Sequence, residues 1–308
     1  MSNSFVKHED VQNLLRISAG LNTTDGDERF KSIMHRLLEN ICTLIDDYNI
    51  TQEEFWQAIN YLHELGGRQE AALLAAGLGL EHYLDLRQDA LDAAQQRETG
   101  TPRTIEGPLY VANAPLSESH ARMDDGADAG EVMWLHGQVK DTQGRPVENA
   151  IVDIWHANTL GNYSFFDQSQ SEYNLRRRIR TGADGRYSVR SIVPSGYGCP
   201  PDGPTQKLLD RLGRHGNRPA HIHFFVSAPG HKHLTSQINL NGDQYLWDDF
   251  AFATRDGLIA DPVKVNESAK IAERGLDGEH TEVRFDFTLC KAQNPDEEQR
   301  ITRLRAQE

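Results

Sequence analysis

Two histidines at alternate positions have the spacing that points most directly to chemistry. His221 and His223 lie in the segment 218–226, where aromatic and β-branched residues predominate, as is typical of a β-strand. Because side chains alternate between the two faces of a strand, both imidazoles share one face. The opposite face is apolar and suited to a core: Ala220, Ile222, Phe224 and Val226. Two imidazoles on one face of a rigid strand can form half of a metal site.

A second pair with the same spacing shows that spacing alone is weak evidence. His231 and His233 follow the turn signal Pro229-Gly230 and enclose Lys232. This sequence predicts a solvated loop rather than a metal-binding strand. The first pair therefore needs partner ligands elsewhere in the chain.

Three kinds of partner could complete a site on the first pair. Cys199 would suggest zinc, and a distant carboxylate would suggest a cupin-like Fe(II), Mn or Zn site. Tyr163 and Tyr197 are the third possibility, since glycines beside both could let the backbone aim the side chains inward. Most tyrosines are ordinary packed or surface residues, so the residues alone leave all three completions open.

The elements that would position these groups differ between the two parts of the chain. Residues 1–100 carry apolar residues at helical spacing, and Thr51 with Glu54 forms a capping box. A helix near 68–95 carries glycines at 77 and 79 that predict a break. The few catalytic side chains in this part favour a role in packing or subunit contact.

From residue 101 onward, short strand patterns alternate with turn signals. The predicted strands are 132–140, 150–156, 178–181, 187–193, 220–227, 235–240 and 281–289. The proline- and glycine-rich segment 194–217 is predicted to be a long loop. We therefore expect an α+β protein: an N-terminal helical dimerisation and linker region, 1–100, followed by a mostly antiparallel β-sandwich catalytic domain, 101–308.

Composition excludes several classes of function. The 308 residues carry a formal net charge of −14, which disfavours nucleic-acid binding because that requires a positive surface. Three widely spaced cysteines imply no disulfide framework. The sequence shows neither a signal peptide nor an apolar run of about 18 residues, so a cytoplasmic protein is expected.

Several longer motifs resemble those of the intradiol ring-cleavage dioxygenases. They are the segments 101–110 and 152–158, Tyr163, the Pro-x-Gly-Tyr-Gly segment ending at 198, and the segment 214–223. The resemblance extends over nearly the whole chain, and within the family it is strongest to enzymes that act on catechol. It implies cleavage of catechol with O2 to cis,cis-muconate, in the β-ketoadipate route of aromatic compound degradation.

The resemblance also implies a ligand set, namely Tyr163, Tyr197, His221 and His223 around one non-haem Fe(III) per subunit. Ferric iron is a hard Lewis acid, and a bound trivalent cation can deprotonate a phenol whose ordinary pKa is about 10. Tyr197 is expected to be catalytic as well, since its phenolate can dissociate from the iron and accept a proton from the substrate.

The resemblance assigns the remaining site residues to the substrate. Arg218 is expected to stabilise negative charge on the ring, and Gln237 to orient the substrate. The expected substrate-binding residues are Leu73, Ala76, Ile105, Pro108, Leu109, Arg218, Gln237, Phe250 and Ala251. Ala76 departs from the proline of some relatives, which predicts a slot roomy enough for methylcatechols.

The expected partners are a small aromatic diol, O2, and a second subunit bound through the helical half. A phospholipid at the dimer interface is possible, and no nucleic acid is expected. Two rival functions stay open: a hydroxyquinol or chlorocatechol dioxygenase, and a non-catalytic β-sandwich binding module with His221 and His223 in structural roles.

Overall fold

The chain divides into two compact units, Met1–Gly67 and Arg68–Glu308. The computed structural model describes residues 5–299. The boundary placed near residue 101 from sequence stays a prediction. Within residues 5–299, no helix is both long and apolar enough to cross a membrane.

The first unit is helical, as predicted. After a 3-10 turn at Phe5–Lys7 it contains α1 Glu9–Ser18, α2 Glu28–Tyr48 and α3 Gln52–Gly67. The predicted capping box begins α3: Glu54 accepts a hydrogen bond from the Thr51 amide at 2.9 Å, and the Glu54 amide donates to the Thr51 hydroxyl at 3.2 Å. Such reciprocal bonds satisfy backbone donors that the first helical turn leaves without partners.

The second unit begins with two helices and continues with strands. The predicted break falls between α4 Ala71–Gly77 and α5 Leu80–Ala94, where Gly79 has a φ of 72°. Two short helices, α6 Pro204–Arg211 and α7 Ser268–Glu273, interrupt the strands, and a 3-10 turn at Pro295–Glu298 follows them. The strands are β1 Leu116–Glu118, β2 His120–Arg122, β3 Val132–Asp141, β4 Ile151–His156, β5 Arg176–Arg180, β6 Arg186–Ile192, β7 Tyr197–Gly198, β8 Asn217–Arg218, β9 His221–Ser227, β10 Leu234–Leu240, β11 Ile259–Ala260, β12 Val263–Val265, β13 His280–Arg284 and β14 Phe287–Leu289.

Two six-stranded sheets enclose the main core. One sheet has the order β1-β5-β4-β9-β10-β11; the other has β12-β13-β3-β6-β2, with β14 paired to β3. Buried residues from both sheets pack together, among them Leu135 and Val189 of one and Ile222 and Phe224 of the other. This arrangement confirms the predicted sandwich and the predicted apolar face of β9.

The longer strand pairings are antiparallel, as expected of a mostly antiparallel sandwich, among them β3 with β6 and β9 with both β4 and β10. The sheets are nevertheless mixed, since β1, β2, β11, β13 and β14 each pair with a neighbour in parallel. Two other expectations about the second unit were wrong. The segment 194–217 is not all loop, because Pro204 occupies the first turn of α6, where a missing amide hydrogen costs nothing. The predicted strand 281–289 is two strands, β13 and β14.

Candidate metal centre

The centre of the site is β9, in the middle of the first sheet. β9 pairs antiparallel with β4 and β10, so Trp155 and Gln237 flank His223 on either side. His221 and His223 are each 1% exposed. The indole of Trp155 stacks on the imidazole of His223, with ring centroids 5.0 Å apart and planes 4° apart. The sheet thus holds both imidazoles in fixed orientations.

The two tyrosines reach the histidines from separate segments. Tyr163 lies in the loop after β4, and Tyr197 lies in β7, where it pairs with Arg218 of β8. Gly161 allows the two segments to meet: it has a φ of 80°, and a Cβ placed there would lie 2.5 Å from the Cβ of Tyr197. Close contact between the tyrosine-bearing segments therefore depends on a glycine at this position.

Four donor atoms converge in this space. The Tyr163 hydroxyl lies 3.4 Å from both the Tyr197 hydroxyl and the His221 Nε2. The His221 Nε2 lies 3.3 Å from the Tyr197 hydroxyl and 3.1 Å from the His223 Nε2. Neighbouring donor atoms that bind one first-row metal ion at about 2 Å are separated by distances of this length. The structure therefore brings together the four residues predicted as ligands, and their spacing fits a single ion.

Both imidazoles are held in the neutral form that binds a metal. The His221 Nδ1 lies 2.6 Å from the Pro219 carbonyl, so this nitrogen carries the proton and leaves the Nε2 lone pair facing the site. Burial, followed by the charge of Arg218, lowers the pKa of His221 to about 3. Burial and the neighbouring His221 also lower the pKa of His223 well below its usual range.

The Tyr163 phenol requires a nearby cation to ionise. Burial, reinforced by the neighbouring Tyr197, raises the pKa of Tyr163 well above that of free tyrosine. A trivalent ion at the centre of the four donors would reverse this effect by stabilising the phenolate. The donor set of two phenols and two neutral imidazoles therefore fits Fe(III), with the phenolates offsetting much of its charge.

The zinc and cupin alternatives find no support in the described structure. Within residues 5–299, no three His, Cys, Asp or Glu side chains group closely enough to hold a metal. Cys199 instead packs in a separate apolar cluster that includes Phe250. Burial, and then the charge of Glu70, raises the pKa of the Cys199 thiol to about 12, which disfavours the thiolate that zinc requires.

Arg218 connects the donor atoms to the rest of the pocket. It is 3% exposed, and its Nη1 lies 2.9 Å from the His221 Nε2. Its Nη2 donates to the Gln237 side-chain oxygen at 3.0 Å, and it forms a two-point ion pair with Asp249. Burial alone would lower the pKa of Arg218, but the charge of Asp249 raises it above the usual range. A permanently charged guanidinium therefore borders the four converging donor atoms.

Most of the predicted pocket residues lie together. Leu73, Ala76, Ile105, Phe250 and Ala251 belong to one buried apolar cluster, with Leu209, Ala253 and Cys199. Leu109 packs instead with an aromatic cluster around Trp155 and Tyr163. Pro108 is half-buried, next to Gly107, whose Cβ position lies 3.6 Å from the His223 ring. The predicted walls thus divide between two clusters, one containing Phe250 and the other Tyr163.

Three functional candidates were missed from sequence. Asp249 holds Arg218, Trp155 stacks on His223, and the Arg176 guanidinium carbon lies 5.8 Å from the centre of the Tyr163 ring. The segment 152–158 did carry a signal for Trp155. It overlaps a predicted strand, and alternate side chains of a strand beside β9 lie on the same face of the sheet as His221 and His223. Asp249 and Arg176 had no local signal, because their partners lie more than ten positions away.

Two other histidines, His156 and His215, have structural contacts. The two ring nitrogens of His156 lie 2.8 Å from the Ala157 carbonyl and 2.8 Å from the Ser191 hydroxyl. The His215 Nε2 lies 3.0 Å from an Asp248 carboxylate oxygen. The second His-x-His pair lies in the connection between β9 and β10, as predicted.

Comparison with known proteins identifies the family. A model described as Dioxygenase matches residues 105–291, and one described as Catechol dioxygenase N terminus matches residues 27–96. The chain is 54% identical to catechol 1,2-dioxygenase of Acinetobacter baylyi over 286 residues, 92% of each chain. It is 54% identical to the enzyme of that name from a Pseudomonas species, over 91% of this chain and 93% of that one.

Solved structures agree with this assignment. The crystal structure of catechol 1,2-dioxygenase from Pseudomonas arvilla C-1 matches with a TM-score of 0.95 and 59% identity, over 99% of both chains. The chain therefore belongs to the catechol dioxygenases, a family of intradiol ring-cleaving enzymes that use non-haem iron.

Proposed function

We propose that this protein cleaves catechol between its two hydroxylated carbons, using O2, to give cis,cis-muconate in the β-ketoadipate route of aromatic compound degradation. The observation that carries the proposal is the convergence of Tyr163, Tyr197, His221 and His223, with donor atoms 3.1 to 3.4 Å apart. The names of the two relatives compared above support catechol as the substrate.

Those four residues would hold one non-haem Fe(III) in each subunit. Bound there, ferric iron supplies the Lewis acidity that prepares an electron-rich catecholate ring for attack by O2. Catechol must lose two protons to chelate, and the Tyr197 phenolate is placed to accept one of them. Tyr197 suits this role because it is less enclosed than Tyr163, which is 3% exposed.

Arg218 and Gln237 act on the substrate side of the site. An iron ion held there would take up the His221 Nε2 lone pair, so the Arg218 Nη1 would lose its contact with that nitrogen. The guanidinium would then be available to stabilise negative charge on a bound catecholate ring. Gln237 is hydrogen-bonded to Arg218 and helps to orient the bound substrate.

The apolar cluster determines which diols fit. Leu73, Ile105 and Phe250 belong to an apolar cluster whose chemistry suits an aromatic ring, and a residue larger than Ala76 would narrow a slot formed there. This favours catechol and small alkyl catechols over hydroxyquinol, whose third hydroxyl would be buried without a partner.

Oxygen uptake by the purified protein tests the function. We expect uptake of one O2 for each catechol consumed, muconate as product, and slower turnover of chlorocatechols and hydroxyquinol. Faster turnover of hydroxyquinol or a chlorocatechol would favour that rival activity. A colourless, iron-free protein that leaves catechol intact would support the non-catalytic binding module instead.

We further propose that the helical half forms a homodimer, with a phospholipid possible at its interface. Apolar residues of α2 form an exposed stripe at coiled-coil spacing. A stripe of this kind is typical of a helix that packs against a second helix. Its members are Phe30 at 62%, Ile33 at 50%, Leu37 at 47%, Ile41 at 42% and Leu44 at 51% exposure. Light scattering that gives the mass of one chain would refute the dimer, and a lipid-free native preparation would refute the lipid.

Two further expectations remain proposals. The first is the division into a dimerisation and linker region, 1–100, and a catalytic domain, 101–308, which limited proteolysis would test. The second is a cytoplasmic location, supported by three cysteines that form no disulfide. Cell fractionation that finds the protein outside the cytoplasm would refute it.

A further inference from the structure

A buried arginine lies against one of the proposed iron ligands. Arg176 is the first residue of β5, opposite Trp155 of β4, and it is 1% exposed. Its guanidinium carbon lies 5.8 Å from the centre of the Tyr163 ring. This distance is within the range of a cation–π contact.

Two hydrogen bonds fix the guanidinium beside Tyr163. The Arg176 Nε donates to the Ser164 hydroxyl at 3.0 Å, and its Nη2 donates to the Ser164 carbonyl at 3.0 Å. Ser164 in turn donates to the Asn174 carbonyl at 2.6 Å. Because Ser164 is adjacent to Tyr163 in the chain, the charge and the phenol are held by the same short segment.

The charge of Arg176 is poorly compensated by the protein itself. Within the described residues 5–299, Arg176 forms no ion pair with a carboxylate, and its Nη1 has no hydrogen-bond partner. Burial opposes the charge of Arg176 more strongly than any neighbouring group supports it. A buried cation without a partner is costly. An anion at Tyr163 would compensate it, and iron binding creates that anion.

We propose that Arg176 is a positioning residue that stabilises the Tyr163 phenolate and limits how strongly this ligand donates electrons to iron. The inference rests on the iron site proposed above. A fixed positive charge beside the ring lowers the energy of the phenolate donor orbitals. The phenolate then donates less, so the iron stays more Lewis acidic, and the tyrosinate-to-iron charge-transfer band moves to higher energy.

Neutral substitutions of Arg176 test this in the iron-loaded protein. We expect Arg176→Met and Arg176→Gln to move the visible charge-transfer band to longer wavelength and to lower the Fe(III)/Fe(II) midpoint potential. We expect kcat to fall by about three- to thirtyfold, the range that matches the strength of a cation–π contact. Arg176→Lys keeps the charge and should stay closer to the parent band.

Arg177 provides the matched control. It is the next residue of β5, on the opposite face, and its Nη2 donates to the Arg122 carbonyl at 2.9 Å. Arg177→Met should leave the band and the midpoint potential unchanged. An unchanged band in both neutral Arg176 variants, or an equal shift in Arg177→Met, would overturn the proposal.

Two further results complete the test. If neither neutral variant folds, Ser164→Ala provides the test, because it removes one hydrogen bond that holds the Arg176 guanidinium while keeping its charge. A shift of the charge-transfer band to longer wavelength then supports the proposal, and an unchanged band overturns it. A parent protein that binds iron but lacks a tyrosinate band would refute the ligand set itself, and with it this inference. The parent spectrum thus separates failure of the iron site from failure of the role of Arg176.

Discussion

Arg218 and Asp249 form a buried two-point ion pair beside the four converging donor atoms. The Arg218 Nε lies 3.1 Å from Asp249 Oδ1, and its Nη2 lies 3.0 Å from Oδ2. Asp249 is itself anchored by the amides of Ala251 and Ala253 at 3.0 and 3.3 Å. The carboxylate therefore fixes the guanidinium to the backbone of a pocket-lining segment.

Removing that carboxylate charge should reduce both activity and stability. Asp249→Asn leaves Arg218 as a buried cation without its partner, a change that costs about 3–5 kcal/mol. We expect this loss in the free energy of unfolding, measured with urea, together with a fall in kcat of at least tenfold. Asp248→Asn is the control: Asp248 is exposed and lies beside His215 at the surface, so its substitution should change either quantity little. Equal effects at 248 and 249 would contradict the role of Asp249.

The segment containing Gly161 gives a test of site geometry. Gly161→Ala combines a φ of 80° with a clash at 2.5 Å against the Tyr197 Cβ. We expect it to lose iron and visible colour in addition to stability. Gly144→Ala has a φ of 77° but open space around its Cβ, so it should cost only about 1 kcal/mol and keep its iron. A red, iron-replete Gly161→Ala variant would show that the two tyrosine segments need not meet so closely.

Asp85 on α5 gives a prediction about pH. Burial raises the pKa of Asp85 to about 6, and its Oδ2 has no hydrogen-bond partner among the described residues. An unfolded aspartate has a pKa of about 3.9, so between these values the folded state binds more protons and stability falls as pH rises.

Asp85→Asn should remove this loss. We expect a gain of about 1–2 kcal/mol in the free energy of unfolding at pH 7.5, less than the full shift because the group is partly exposed, and no gain at pH 4. Asp89→Asn should instead destabilise the protein, because Asp89 pairs with Arg103 and Arg255. A gain for Asp85→Asn that does not depend on pH would contradict the account.

The size of residue 76 should govern the range of substrates. Ala76 is 3% exposed in the cluster that contains Phe250. We expect the parent to turn over 4-methylcatechol, and Ala76→Val to lower kcat/KM for it more than for catechol. Ala75→Val, on a less buried neighbour, should leave that ratio unchanged. Complete rejection of 4-methylcatechol by the parent would refute the roomier slot.

The spacing of residues in the sequence predicted those features that depend only on near neighbours in the chain. The strand period placed His221 and His223 on one face, and turn chemistry separated them from the pair at 231 and 233. The capping box at Thr51 and the break at Gly79 were likewise readable, because each depends on residues within a few positions.

Long-range partners could not be predicted from the residues alone. Tyr163 and Tyr197 became candidates only through resemblance to a family, because nothing local distinguishes a ligand tyrosine from a packed one. Arg218 meets Asp249 across 31 positions, and no periodic pattern encodes that contact. The parallel pairings of β1, β2 and β11 were missed for the same reason, since such short strands carry little pattern of their own.

The central claim is that β9 supplies the neutral half of an iron site, and iron content with the visible spectrum tests it most directly. We predict one iron per chain and a red tyrosinate band in the parent protein. His221→Ala and His223→Ala should lose both, whereas His231→Ala, in the second His-x-His pair, should keep both. An iron-free parent, or full iron retention after loss of His221 or His223, would contradict the account.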